Sequence, residues 1–132
     1  MLSHEERLEL AHTIRDRLVD ALGDDVLLVG LYGSTARGTD TLWSDLEMLV
    51  VTRVAAGVES RHLVYRGTAV GYTAIDEARL RGHLTVVADR WSFWMGALSE
   101  LAVLHGGAGL VRGWLAMGEA VPVAEHRRVL RD

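Results

Sequence analysis

A continuous apolar run from Val26 to Tyr32, closed by Gly33 and Ser34, limits the possible folds of this sequence more than any other segment. A run of that length, bounded by turn residues, is typical of a strand that is covered on both faces. Such a strand lies inside a sheet and needs other elements packed on each side, since neither of its faces is polar. The run therefore predicts a central strand.

Helical and strand patterns flank this run on both sides. Ser3 and Glu6 form a capping-box pattern, and apolar residues then recur at helical spacing, which predicts a first helix from about residue 4 to residue 22. The order of the patterns along the chain predicts one α/β (α+β) domain over residues 1–132, a mixed sheet flanked by helices. The elements predicted after the central strand are a polar loop or short helix over Ser34–Ser44, a strand over Asp45–Thr52, a hairpin of Arg61–Arg66 and Thr68–Ile75, helices over Asp76–Gly82 and Ala88–Leu98, a strand over Leu101–Leu104, and helices over Leu110–Met117 and Val123–Leu130.

Length and composition fit one ordinary domain with a single core. The chain has 132 residues, of which 49% are hydrophobic, and this excludes a disordered or fibrous protein. It contains no cysteine, so a disulfide scaffold, a thiolate zinc site and a cysteine nucleophile are excluded. All 14 basic residues are arginine, which also excludes a P-loop lysine and Schiff-base chemistry.

Charge and hydropathy narrow the range of partners. The chain is acidic, with a formal net charge of −4 and an isoelectric point near 5.8. Because nucleic-acid backbones bind basic surfaces, we expect no general nucleic-acid binding. The longest apolar run is far shorter than the ~20 residues of a membrane span, and the first residues do not resemble a signal peptide. We therefore expect a cytoplasmic protein that acts on small molecules, with no membrane segment.

The residues from Leu31 to Val51 carry the candidate chemistry. Gly33 lets the backbone approach a ligand closely, and the following N–H groups with the Ser34 hydroxyl are suited to hold a phosphate. Asp45 and Glu47 are two residues apart on a predicted strand, so both face one side, with Cα atoms roughly 6–7 Å apart. Two adjacent acids favour a bound divalent cation, and hard oxygen ligands with a phosphate favour Mg²⁺. Either motif alone also fits a plain turn or the solvent face of an edge strand.

The order of these motifs resembles the signature of the polymerase-beta-like nucleotidyltransferase superfamily. The signature residues are Gly33-Ser34, then Arg37-Gly38, then Ser44-Asp45-Leu46-Glu47 at the start of a strand. Within that superfamily the sequence is similar to the N-terminal domain of the kanamycin (aminoglycoside) nucleotidyltransferases. The likeness also covers Glu5–Arg7, Gly23–Val26 and, more loosely, Gly106-Gly107.

The resemblance implies a nucleotidyltransferase fold that uses Mg²⁺ and a nucleoside triphosphate, above all ATP. Carried over, Gly33 and Ser34 hold the triphosphate, and Asp45 and Glu47 hold the catalytic Mg²⁺ ions. The resemblance also allows Arg37 to contact the phosphates. An equal alternative is that Arg37 is a surface residue with no contact to the nucleotide. The implied reaction, known from antibiotic resistance, transfers AMP to a hydroxyl of an aminoglycoside-like small molecule and releases pyrophosphate.

Two departures from the superfamily keep a second function open. The superfamily places a third carboxylate on a later strand, but the matching strand Thr68–Ile75 has none, and Gly71 or Tyr72 stands in its place. Asp76 and Glu77, at the end of that strand, are displaced by more than ~10 Å. The aminoglycoside enzymes also have a helical second domain, which supplies the general base and which we expect to be missing here. The alternative is a non-catalytic or regulatory domain, such as the antitoxin-like partner of a helical protein.

The remaining candidates are expected to be structural. The histidines show no pairing typical of zinc sites, and Gly106–Gly109 fits a strand-to-helix turn. Large apolar residues late in the chain are expected to leave an exposed face, which a second copy or a helical partner chain would cover by burying roughly 1,200 Å² or more. These residues are Trp91, Phe93, Trp94, Leu98, Leu110, Trp114 and Leu115.

Overall fold

The central element of the fold is a sheet of five strands, counted over the residues that a computed structural model describes, 1–54, 59–86 and 89–121. The strands are β1 (Val26–Tyr32), β2 (Leu46–Thr52), β3 (Arg61–Tyr65), β4 (Thr68–Asp76) and β5 (Ala102–His105). The helices are α1 (His4–Leu22), α2 (Ser34–Arg37), α3 (Glu77–Thr85), α4 (Asp89–Ser99) and α5 (Ala108–Glu119), and a short 3-10 turn spans Gly23–Asp25.

The strand order is β3-β4-β2-β1-β5, with β2 and β4 parallel and the other neighbouring pairs antiparallel. The predicted mixed sheet is therefore confirmed. The β3–β4 hairpin turns at Arg66 and Gly67, whose backbone φ angles are both positive, and the hairpin adds to the sheet through β4. This arrangement leaves β3 and β5 as the two edges.

Helices cover both faces of the sheet, as the apolar β1 segment requires. One face packs on α1, where Val29, Leu31 and Val50 surround Ala11. The opposite face packs on α3, α4 and α5, where the buried Leu28 and Leu49 meet a cluster that includes Trp114. Burying apolar side chains on both sides at about 25 cal/mol per Å² is the main favourable term in holding these layers together.

Local signals explain where α1 begins and ends. The Ser3 side chain accepts the Glu6 backbone N–H, and the Glu6 carboxylate accepts the Ser3 backbone N–H, so the predicted capping box is present. The helix stops at Gly23, whose φ of +57° is in the region that favours glycine. The predicted first helix is therefore confirmed.

The other predicted elements are also present, with small shifts at their ends. Asp45 is the residue before β2 rather than its first residue. Asp76 ends β4 and caps α3, because its carboxylate accepts the Arg79 N–H at 2.9 Å. The predicted helix over Val123–Leu130 lies outside the described residues. No helix among the described residues is long and apolar enough to cross a membrane.

The late apolar residues are less exposed than the sequence suggested. Trp94, Trp114 and Leu98 are at most 2% exposed and lie in the core, because α3, α4 and α5 pack on one another. Phe93 is 41% and Leu110 36% exposed. The apolar face available to a second copy is therefore smaller than expected, and assembly stays a prediction.

Candidate active site

The Gly33 turn lies directly against Glu47, the second of the two predicted acids. Gly33 follows β1 with a φ of +80°, and a Cβ at this position would collide with the Glu47 carboxylate. The contact arises from the register of the sheet, in which Tyr32 pairs with Glu47. Glycine is therefore needed at position 33 both for its backbone angle and for the close approach of Glu47.

One cavity, here called the turn cavity, collects most of the residues that the sequence singled out. Its volume is about 460 Å³. Gly33, Ser34 and Arg37 line it from the β1–α2 turn, and Glu47 lines it from β2. The rest of its wall comes from Tyr32 and from Ser92, Phe93, Gly96, Ala97 and Glu100.

A second, smaller cavity, here called the hairpin cavity, lies between β2 and the β3–β4 hairpin. Its volume is about 110 Å³. Asp45 and Glu47 line it together, as their two-residue spacing predicts, and Leu46 between them is fully buried. Besides Leu46, which also lines the cavity, the remaining lining residues are Tyr32, His62, Leu63, Ala69, Val70 and Gly71. Glu47 and Tyr32 thus belong to both cavities.

Electrostatics around Glu47 favour a bound cation. Partial burial raises the pKa of the Glu47 carboxyl above its ordinary value, and the carboxylates of Asp45 and Glu100 raise it further, against an opposing effect of Arg37. The charged form of Glu47 is therefore disfavoured by its surroundings. A divalent cation between these acids would relieve the repulsion.

Glu100 is a site residue that sequence reasoning missed. Its carboxylate accepts the Gly33 backbone N–H at 2.8 Å and a hydrogen bond from the Arg37 guanidinium at 2.6 Å. These two bonds hold the pKa of Glu100 below its ordinary value, with Arg37 as the larger cause. Arg37, which is expected to meet phosphate, and the N–H of the Gly33 turn are thus bound to a carboxylate of the same chain. Glu100 lies 67 residues from Gly33, and no local pattern links the two.

The loop that leads into Asp45 is held by a buried arginine from α1. The Arg7 side chain is 1% exposed and pairs at 3.2 Å with Asp40, whose side chain is 2% exposed. Arg7 also donates to the backbone carbonyls of Leu42 at 3.2 Å and Ser44 at 2.9 Å. Trp43, between these carbonyls, is 81% exposed. The first helix therefore fixes the backbone on which Asp45 is placed.

The position of the expected third carboxylate is occupied by glycine. In the parallel β2–β4 pair, Glu47 lies opposite Gly71, and Asp76 lies opposite Thr52, five positions further along. At about 3.3 Å per residue, Asp76 is therefore about 16 Å from the site. Glu77 is likewise engaged elsewhere, because its carboxylate accepts the Trp114 indole N–H at 3.3 Å. Neither acid replaces the missing one.

The donor set fits Mg²⁺ if a substrate completes the coordination. Within the described ranges, no group of three or more His, Asp or Glu side chains is arranged to hold a metal ion. Mg²⁺ is commonly held by one or two carboxylates plus phosphate oxygens and water, rather than by a complete protein cage. Asp45 and Glu47, beside a cavity that the Gly33 turn also lines, provide the protein share of such a site.

Comparisons with known proteins relate this geometry to one fold. No protein-family model matches the chain. The chain is 45% identical over 51 residues to the aminoglycoside nucleotidyltransferase (4′) of Staphylococcus aureus and to that of a Bacillus species. Each match covers 39% of this chain and 20% of the relative, so the match spans about a fifth of the length of these curated relatives.

Two solved structures match over most of the chain. A nucleotidyltransferase-like protein from Exiguobacterium sibiricum is 18% identical with a TM-score of 0.59, covering 88% of this chain and 40% of that one. A toxin-antitoxin structure with AMP-PNP is 13% identical with a TM-score of 0.54, covering 91% of both chains. The predicted fold is confirmed: this is a nucleotidyltransferase-fold protein that resembles part of the aminoglycoside 4′-nucleotidyltransferases.

Proposed function

We infer that this chain binds a nucleoside triphosphate with Mg²⁺ and transfers its nucleotidyl group, AMP in the case of ATP, to a hydroxyl of a small molecule. The observation that carries this proposal is the grouping of Gly33, Ser34 and Glu47 around one cavity, with Asp45 beside Glu47 in the next. The 51-residue match to aminoglycoside nucleotidyltransferases supports the reaction class. The AMP-PNP in a neighbouring structure supports the nucleotide.

Each residue of the site has a distinct task in this reaction. Ser34 and the N–H groups that follow Gly33 hold phosphate oxygens, and Arg37 supplies a cation at the rim of the same cavity. Asp45 and Glu47 would hold Mg²⁺, which when bound stabilises charge on the attacking and leaving oxygens. The chain's own contribution is to fix these groups on β1, β2 and the Arg7-bound loop.

The acceptor is proposed to be a cationic, hydroxyl-rich molecule of the aminoglycoside class. The relatives that carry the sequence match are named for that class. The carboxylates of Asp45, Glu47 and Glu100 concentrate negative charge around the two cavities. Among the described groups that shift the pKa of Glu47, Arg37 is the one cation. Such a field attracts a positively charged acceptor and opposes an anionic one.

Calorimetry with ATP, in the presence and absence of Mg²⁺, tests the nucleotide site. We expect Asp45→Asn to abolish the Mg²⁺ dependence of ATP affinity and to leave the fold intact, because Asp45 lies on the surface before β2. Asp20→Asn, an exposed acid of α1, is the matched control. Equal ATP affinity with and without Mg²⁺ in the unmodified protein would contradict the proposal. Pyrophosphate release with a panel of aminoglycosides then tests the transfer step.

A second function, nucleotide binding without turnover, is favoured by one comparison and by the glycine at position 71. The match to the toxin-antitoxin structure covers 91% of this chain and 91% of the matched chain, so the two chains are similar in length as well as in fold. Gly71, which lies opposite Glu47, also leaves the position of the expected third acid without a carboxylate. A domain that binds a nucleotide and a helical partner chain without turnover would show ATP affinity and no pyrophosphate release with any acceptor.

A further inference from the structure

Four residues form one row across the sheet at the candidate site. Tyr32 pairs with Glu47, Glu47 with Gly71, and Gly71 with His62, on β1, β2, β4 and β3 respectively. Residues directly opposite one another in a sheet project to the same face. His62 therefore projects on the same side as Glu47, and both side chains line the hairpin cavity.

The imidazole of His62 fills the space that a side chain at position 71 would need. A Cβ built on Gly71 collides with His62 Nδ1 and lies 2.9 Å from His62 Cε1. Gly71 is thus not a gap in the row, because the ring from the neighbouring strand covers it. The group next to Glu47 at this point of the sheet is an imidazole where the superfamily has a carboxylate.

The hairpin cavity provides few other groups that can accept a proton. Besides the two acids that would hold Mg²⁺, its polar side chains are those of Tyr32 and His62. The Tyr32 side chain is a phenol, which is protonated at neutral pH and therefore serves as a hydrogen-bond donor rather than as a base. At about 110 Å³ the cavity has room for a few water-sized groups, such as one hydroxyl-bearing carbon of an acceptor.

We propose that His62, which covers the position of the missing third acid, is the base of the transfer reaction, a role that the second domain has in the aminoglycoside enzymes. This inference rests on the proposed function. The imidazole accepts the proton of the acceptor hydroxyl as its oxygen bonds to the α-phosphorus. The bond from the α-phosphorus to the oxygen that bridges it to the β-phosphate breaks, and pyrophosphate leaves with that electron pair. The chain thereby supplies its own base from the edge strand β3.

The first experiment compares three variants by pyrophosphate release and by ATP calorimetry. His62→Ala and His62→Gln are expected to lower kcat about 100-fold or more, the usual contribution of a general base, with ATP affinity unchanged. Both variants should fold, because every residue of β3 is exposed. His12→Ala, an exposed histidine of α1, is the control and should keep the full rate. A His62→Gln variant with the wild-type rate would overturn the proposal, since glutamine keeps a polar side chain but is no base.

A second-site carboxylate tests whether His62 stands for the missing acid. Gly71→Glu in the His62→Ala background places a carboxylate in the vacated space, and kcat should recover to well above that of His62→Ala alone. Failure of this double variant to recover, with ATP affinity retained, would overturn the equivalence of the two positions. Gly71→Glu with His62 present is the control, because there the two side chains compete for one volume.

The outcomes separate this inference from the proposed function. If the unmodified protein shows no Mg²⁺-dependent ATP binding, the proposed function and the role of His62 both fail. If it binds ATP but releases no pyrophosphate with any acceptor or with water, the nucleotide site stands, while the transfer step of the proposed function and the role of His62 both fail. If the rate is unaffected by His62→Ala, the role of His62 alone is overturned.

Discussion

Replacing Arg7 with methionine should destabilise the protein severely, because Arg7 is a buried charge and not a surface one. Methionine keeps most of the length of the side chain and removes the guanidinium. Among the described residues, Asp40, whose side chain is 2% exposed, would then keep its 2.6 Å contact with His4 alone, and the Leu42 and Ser44 carbonyls would lose the Arg7 donor. Removing one partner of a buried ion pair costs about 3–5 kcal/mol, because the other charge stays buried.

Urea denaturation followed by circular dichroism measures this loss. With an m-value of about 2 kcal/mol/M for a domain of this size, the midpoint should fall by about 2 M. Arg17→Met, an exposed arginine of the same helix, should change the free energy of unfolding by less than about 0.5 kcal/mol. A loss for Arg7→Met below about 1 kcal/mol would put this pair among ordinary surface ion pairs and refute the reasoning.

Three further perturbations test the site. Glu100→Gln removes the charge that engages Arg37, so ATP should bind several-fold more tightly by calorimetry, while Glu119→Gln, an exposed control, should leave the affinity unchanged. Gly33→Ala should cost about 1–3 kcal/mol in urea denaturation and weaken ATP binding, because the backbone angle and the Glu47 carboxylate both oppose a Cβ. The pKa of the Glu47 carboxyl is raised in the folded protein. Its contribution to folding stability is therefore fully present below the ordinary glutamate pKa and is lost as the pH rises through the folded-state pKa. Glu47→Gln should therefore be more stable than wild type at neutral pH in chelator, with the advantage vanishing in acid.

Short-range patterns in the sequence were enough to predict most of the fold. The capping box at Ser3, the apolar run of β1 and the hairpin turn at Arg66-Gly67 each depend on residues within a few positions of one another. Backbone preferences and burial act at that range, so the elements can be predicted without the tertiary structure. The two-residue spacing of Asp45 and Glu47 belongs to the same class, and the two acids do line one cavity.

The residues missed by sequence reasoning depend on the strand order and on helix placement. Glu100 reaches Gly33 only because the end of α4 packs over the β1 turn. His62 covers Gly71 only because β3 lies outside β4 in the sheet. Arg7 is buried because α1 packs beside the loop at Leu42. None of these contacts has a local signature, since each joins segments that are distant in sequence.

The exposure of β3 also affects how the protein can change over evolutionary time. All five β3 residues are exposed, whereas β2 is buried at every position except Glu47. Surface substitutions usually alter stability by less than about 0.5 kcal/mol, while core substitutions often cost several times more. Mutations can therefore accumulate along β3 at positions other than His62 and reshape one wall of the hairpin cavity, while the packed strands preserve the turn cavity. The edge strand is accordingly the segment in which drift or directed evolution can diversify substrate preference without loss of folding.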